Sequence, residues 1–211
     1  MKKVLLALTM ILALATAANA GQHYVSGSVS AQSLMDSDIS SSDSAVNAEL
    51  REDDAQIEAD WGWGLSAASG YQWDSGIRVE LEGSYFTSDL DKISSNIGNL
   101  DVGGSFDMTA LMVNALYEYQ IREDSPLSVY GGLGFGYGWS YGELDLEGDD
   151  FTDTASIPLV QPIAGLRYRL DENWSVQADY KFMVGLDKLD YGLFEAEYRS
   201  HRMGIGLRYD F

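Results

Sequence analysis

The 211-residue sequence has no cysteine, only three prolines and two histidines, and only 13 basic residues against 33 acidic ones. Without cysteine there is no disulfide, no thiolate nucleophile, no thiolate metal centre and no lipid-bearing cysteine. A net charge of −20 excludes the basic surface that nucleic acid attracts, so no nucleic-acid partner is expected. After residue 20 no apolar run approaches the ~20 residues of a membrane-spanning helix. That last absence does not exclude a membrane protein, because spanning β-strands alternate and give no hydropathy peak.

The one long apolar run opens the chain. In "MKKVLLALTMILALATAANA", Lys2 and Lys3 precede Val4 to Ala15, and the stretch ends on Ala18-Asn19-Ala20. This is the pattern of a secretory signal peptide over residues 1–20, with an A-x-A cleavage site before Gly21. Residues 21–211 then form one domain, whose charge falls to −22 because two lysines leave and no acid does.

Within that domain the sequence alternates. "WGWGLSAASGYQW" (61–73) sets Trp61, Trp63, Leu65, Tyr71 and Trp73 against Gly62, Gly64, Ser66 and Gly70. The same period of two recurs in 76–86, 127–141, 174–184 and 201–211, and more weakly in 22–34, 107–120 and 158–170. Eight strands follow. Tight turns (Asp74-Ser75-Gly76, Arg122 to Pro126, Asp171-Glu172-Asn173) alternate with long acidic segments at 35–60, 87–106, 142–157 and 186–199. The expected fold is all-β, an eight-stranded antiparallel up-and-down transmembrane β-barrel with its long loops at one end. Pro158 and Pro162 sit awkwardly in the sixth strand, which is expected to start late or to bulge there.

Three features orient the faces. Glycine weakens an exposed strand, yet Gly62, Gly64, Gly132, Gly134, Gly136 and Gly138 recur on the less apolar face, where they would leave room inside a narrow barrel. Aromatic residues mark both strand ends: Trp61, Trp63, Trp139 and Tyr141 at the outer boundary, and Tyr71, Trp73, Trp174, Tyr209 and Phe211 at the inner one. Trp63 to Trp73 is ten steps of ~3.3 Å, about 25 Å of membrane normal at ~40° tilt. Finally, Arg78, Arg167, Arg169, Lys181, Arg202 and Arg208 share the inner parity with Glu80, Glu82, Glu118, Asp179 and Asp210. Opposite charges so confined must pair, since an unpaired buried charge costs several kcal/mol. A lumen plugged by a structural ion network is expected, not an open pore. A soluble secreted barrel with a buried apolar face is the alternative these features disfavour.

"GIRVELEGSY" (76–85) and the closing "GIGLRYDF" resemble the outer-membrane β-barrel superfamily of small surface antigens, which includes opacity-type proteins and eight-stranded barrels of the OmpA transmembrane-domain kind. The resemblance implies a Gram-negative outer-membrane location with both termini periplasmic. It also implies that the final strand, through Met203, Ile205, Leu207, Tyr209 and Phe211, is recognised by the barrel assembly machinery.

Motifs for chemistry are sparse. "GGLGFGYG" repeats glycine every second residue and therefore reads as strand, not as a phosphate loop. The acidic segments lack the D-x-[DN]-x-[DN]-G calcium spacing, so neither a metal nor a cofactor is expected. His201 shares the lipid parity of Met203, and its neighbour Ser200 points the other way, so a nucleophilic pair is not formed in sequence. Glu80 and Glu82 with Arg78 read as ion network more than as a catalytic carboxylate pair. The expected function is a non-enzymatic surface protein with a structural or adhesion-type role, displaying acidic loops. Its expected partners are outer-membrane lipid and lipopolysaccharide, with a host or cell-surface ligand for the loops. An outer-membrane lipid-modifying enzyme using His201, or a narrow channel for small solutes, are the alternatives.

Overall fold

The computed structural model describes residues 21–35, 56–58, 61–90, 92–95, 98–100, 104–122, 125–146, 149–190 and 195–211. Residues 1–20, and with them the expected signal peptide, lie outside these, as does most of the acidic segment 36–60. For strand residues within 56–58, 89–106, 141–153 and 188–196 the backbone alone is described.

Eleven strands are present among the described residues: β1 (Gly21–Leu34), β2 (Gln56–Glu58), β3 (Trp61–Trp73), β4 (Ile77–Leu90), β5 (Lys92–Ser95), β6 (Gly98–Leu100), β7 (Gly104–Gln120), β8 (Leu127–Leu146), β9 (Asp149–Arg169), β10 (Trp174–Asp190) and β11 (Glu195–Asp210). Eight of them close an antiparallel barrel in the order β1-β11-β10-β9-β8-β7-β4-β3. Closure is between the first and last strands, with Tyr24 opposite Asp210 and Ser30 opposite Gly204. Side chains alternate strictly between interior and exterior. On β4, Arg78, Glu80, Glu82, Ser84, Phe86 and Ser88 are buried, whereas Ile77 and Val79 are exposed.

The tight turns gather at one end. Gly76 adopts φ +88°, and its carbonyl accepts from the Glu118 amide at 2.8 Å, so a side chain there would meet both conformational strain and the Glu118 carbonyl. At the β9–β10 turn, Asp171 Oδ1 accepts from the amides of Asn173 (2.8 Å) and Trp174 (2.7 Å), the self-bonding turn that aspartate favours. Asn173 Nδ2 donates to the Asp210 carbonyl at 2.8 Å, tying this turn to the last strand.

The opposite end departs from expectation. Much of the segments read as loops at 87–106, 142–157 and 186–199 is strand. The β8–β9 ladder continues to Leu146 opposite Asp149, and β4 pairs with β7 up to Leu90 opposite Gly104. A ladder is held by backbone hydrogen bonds, so it extends past the apolar rows wherever two strands stay in register, whatever the charge of the side chains. The segments 35–60 and 87–106 also meet: β2, β5 and β6 form a small separate sheet, with Ile57 opposite Ile93 and Ile93 opposite Leu100.

The two prolines neither delay β9 nor make it bulge. Both are in register with β8, Pro158 opposite Tyr137 and Pro162 opposite Leu133. Along β9 the Arg169 amide points to the β8 side, reaching the Pro126 carbonyl, and the Leu170 amide points to β10, reaching Trp174. Even-numbered positions therefore face β10, and both prolines remove donors from the β9–β10 seam alone. There the ladder skips Phe182 and Met183, resumes at Val184 opposite Val160, and ends at Gly185 opposite Leu159. Pro162→Val, which returns one donor facing the Phe182 carbonyl, is expected to give the new amide at position 162 hydrogen exchange roughly tenfold below its unbonded rate, the equivalent of one recovered hydrogen bond. Exchange at the unbonded rate would show that the missing donor is not what interrupts the seam.

Candidate functional site

The interior is built in two storeys. The one nearer the tight turns is ionic. Glu118 on β7 is its hub, meeting Arg78 Nη1 (3.0 Å), Arg208 Nη1 (3.8 Å) and the Arg167 guanidinium. Arg78 also donates to Glu80 (3.2 Å), Gln177 (3.4 Å) and the Tyr24 hydroxyl (3.3 Å). Tyr24 in turn donates to Glu80 at 2.5 Å. Two guanidiniums lie over its ring, Arg208 at 3.7 Å and Arg78 at 5.0 Å, as cation–π contacts. Arg208 closes the turn end through Asp210 (Nε to Oδ1, 2.8 Å) and Gln72 (2.7 Å).

A second hub lies higher. Glu82 accepts from Lys181 Nζ (2.7 Å), Arg202 Nη2 (3.2 Å) and Asn114 Nδ2 (2.8 Å). Asn114 bridges the two hubs by also donating to Glu80 at 2.9 Å, while its own carbonyl accepts from Gln161 Nε2 at 2.9 Å. Facing it, Gly134 leaves the room it needs, since a Cβ there would overlap Asn114 Oδ1. In the same way Gly70 makes space for the Tyr24 ring.

Of the residues singled out from sequence, Arg78, Glu80, Glu82, Glu118, Lys181, Arg202, Arg208 and Asp210 are buried in the interior, and Arg167 and Asp179 are partly so. Asp179 accepts from the Tyr130 hydroxyl at 3.3 Å and borders a cavity of about 20 Å³ lined also by Ser26, Ser28, Ser66 and Lys181. That is room for an ordered water. Arg169 is not brought into the network. It is exposed at the turn end, because β9 finishes there and its parity no longer faces an enclosed space. Without it the interior holds, among the described residues, five cations (Arg78, Arg167, Lys181, Arg202, Arg208) and five carboxylates (Glu80, Glu82, Glu118, Asp179, Asp210).

The storey nearer the loop end is mainly apolar, which the sequence reading missed; among the described residues, Gln32, Ser84, Ser88, Ser140 and Ser200 are the polar side chains buried at its level. Phe86, Met108, Ala110, Met112, Ala155, Ile157, Leu159, Met183 and Tyr198 form one buried cluster. Arg202 sits at its floor, 4.4 Å over the Phe86 ring. The signal was available in "MTALMVNALY" on β7, apolar at both parities, the mark of a strand covered on both sides.

Outside the barrel, Trp61, Trp63, Trp73, Trp139, Trp174 and Phe211 are exposed, and Tyr71 and Tyr209 partly so; the Tyr141 side chain lies outside the described residues. Edge-on contacts run Tyr71–Trp73 (4.9 Å), Trp174–Tyr209 (5.0 Å) and Tyr209–Phe211 (5.2 Å) at the turn end. His201 also faces outward. Its Nδ1 is 2.6 Å from the Tyr180 hydroxyl, and its ring stacks on Phe182 at 4.8 Å. Ser200 is buried inside, 3.2 Å from the Tyr198 hydroxyl, so the two neighbours do not meet.

Removing the Glu82 carboxylate would strand Lys181 and Arg202 together. Glu82→Ala is expected to lower the unfolding free energy in lipid vesicles by about 3–5 kcal/mol, followed by tryptophan fluorescence against urea. Replacing Glu82, Lys181 and Arg202 together by methionine is expected to recover most of that loss.

Comparison with known proteins bears on this architecture. No curated protein matches the chain. Among solved structures, OprG from Pseudomonas aeruginosa is 15% identical, with 91% of this chain and 96% of that one covered and a TM-score of 0.58. Neisserial surface protein A is 17% identical, with 90% and 97% covered and a TM-score of 0.55. Ail, the attachment invasion locus protein of Yersinia pestis, solved with the heparin analogue sucrose octasulfate, is 14% identical, with 92% and 100% covered and a TM-score of 0.52. At these identities the likeness is one of fold. The family model for the outer membrane protein beta-barrel domain matches residues 4–211, and the chain belongs to that family of outer-membrane barrels.

Proposed function

We propose that this protein is a non-enzymatic surface barrel with a structural or adhesion-type role, whose interior conducts no ions and whose loop end meets the partner. The observation that carries the reading is the filled interior: a charge-balanced ionic storey below a packed apolar one. Moving an ion through it would break buried pairs and then cross an apolar plug, each step costing several kcal/mol. A rigid, closed barrel is suited to presenting its ends, and recognition on such scaffolds resides in the connecting segments.

In this reading residues 1–20 direct export and are removed, both termini are periplasmic, and the strand ending at Phe211 is the segment the assembly machinery engages. The loop end then projects from the cell. It is acidic: residues 36–60 carry nine carboxylates against Arg51. Ail was solved with a sulfated polyanion; a surface of the present charge repels such a ligand and favours a cationic one. The outward setting of His201, between aromatic rings and away from Ser200, supports an interfacial residue over a catalytic one.

In planar bilayers the purified protein is expected to show no steady conductance, and a stable single-channel current would overturn the closed-interior reading in favour of a narrow channel. Cells displaying it are expected to bind a cationic ligand surface in a salt-sensitive way, lost when the acidic residues of 36–60 are neutralised. Lipid A recovered from overexpressing cells is expected to have unaltered mass.

A further inference from the structure

We propose that the outward-facing group Tyr180, Phe182, Arg199 and His201 seats the phosphate-bearing headgroup of an outer-leaflet lipid. The inference requires the outer-membrane location but is independent of the adhesive role.

The first support is position. From His201 to Phe211 is ten steps of ~3.3 Å, about 25 Å of membrane normal at ~40° tilt, the height of a lipid-facing band. With Phe211 at the inner boundary, His201 lies at the outer one. It is also in register, through Ser33, with Trp61 at the start of β3. The chemistry of the outward row of β11 changes at this level. Met203, Ile205 and Leu207 below it are exposed and apolar, whereas Arg199 and Glu197 above it are half-exposed and charged.

The second support is the arrangement of donors. In the tautomer in which the Tyr180 hydroxyl donates to Nδ1, 2.6 Å away, the imidazole proton sits on Nε2, the ring's other edge. The ring stacks on Phe182 at 4.8 Å and Tyr180 at 6.0 Å, with interplanar angles of 29° and 28°. Arg199, two residues along the same outward row, donates Nη2 to Glu197 at 2.7 Å. No other acceptor is recorded for it among the described residues. To grip a phosphate with the imidazole N–H, the guanidinium turns from Glu197 toward His201, and the two donors together suit that group.

The third support selects the source. A chain of net charge −20 repels dissolved anions, so a free phosphate is not concentrated at its surface. An anion tethered by hydrocarbon is delivered to this level by its own tail, which lies against the Met203–Ile205–Leu207 row.

The test uses the full refolded protein in maltoside micelles, with lipid binding measured by native mass spectrometry. The probes are diphosphoryl lipid A, the same lipid dephosphorylated, and inorganic phosphate. R199Q/H201Q is expected to weaken the phosphorylated lipid roughly tenfold and to leave the dephosphorylated lipid unchanged. Y180F, which removes only the hydroxyl that orients the imidazole, is expected to give part of that loss. Glu197→Gln, which frees Arg199, is expected to tighten binding, and Arg169→Gln, at the other end of the barrel, to have no effect. Heat-modifiability on detergent gels shows that each variant is folded. Equal binding by R199Q/H201Q and wild type would overturn the proposal. So would equal binding of the two lipids, which would mean acyl contact only, or competition by inorganic phosphate at the affinity of the lipid, which would mean a site for soluble anions.

Discussion

Two carboxylates organise this barrel. Glu118 gathers Arg78, Arg167 and Arg208, and Glu82 gathers Lys181 and Arg202, with Asn114 linking the second hub to Glu80. Buried charge is tolerated only when it is neutralised locally, and these contacts come from β4, β7, β9, β10 and β11. Apart from Arg78–Glu80 and Arg208–Asp210, each within one strand, the pairs join different strands and cannot form until those strands have come together. The network therefore fixes register around the cylinder, whose lumen is just wide enough for side chains to fill. Small residues on the facing walls, Gly70 under Tyr24 and Gly134 opposite Asn114, are the complement that lets long side chains cross.

The fold was legible because a strand buried on one side repeats every two residues, and the repeat survives in 61–73, 76–86 and 201–211 without any alignment. Interior charges such as Arg78 and Glu82 were legible by the same parity, since an ionised side chain on the exterior row would meet hydrocarbon. What parity could not supply is distance along the strand. Arg169 has the right phase but is the last residue of its strand, where the side chain is exposed. Nor could parity reveal the partners Tyr24, Asn114 and Gln161, which are uncharged and gain importance only from what surrounds them. The apolar upper storey stayed hidden because β7 is greasy on both rows, and a two-sided strand carries no phase to read. Strand lengths were underestimated for a related reason: acidic stretches lose the apolar row while their backbones go on pairing.

Function divides along the same geometry. The inner row is committed to holding the cylinder shut, which leaves the exterior and the loop end to face everything else. On the exterior, aromatic rings collect toward the two ends of the barrel, and His201 stacks on two of them, Tyr180 and Phe182. On the loop end, the long β8–β9 ribbon and the β2-β5-β6 sheet give the acidic segments a framework of ladders. Surface variation there can proceed without disturbing Glu82 or Glu118, because the apolar cluster around Met108 and Leu159 lies between them.

The proline seam gives the cylinder a preferred line of failure. Six of its eight joints are zipped along their shared length, β10–β11 shifts register between Val184 and Lys188, and the β9–β10 joint lacks two donors on one side. Breathing motions of the wall will be concentrated there, as a perforation guides a tear, and mechanical unfolding from the loop end should begin by parting those two staves.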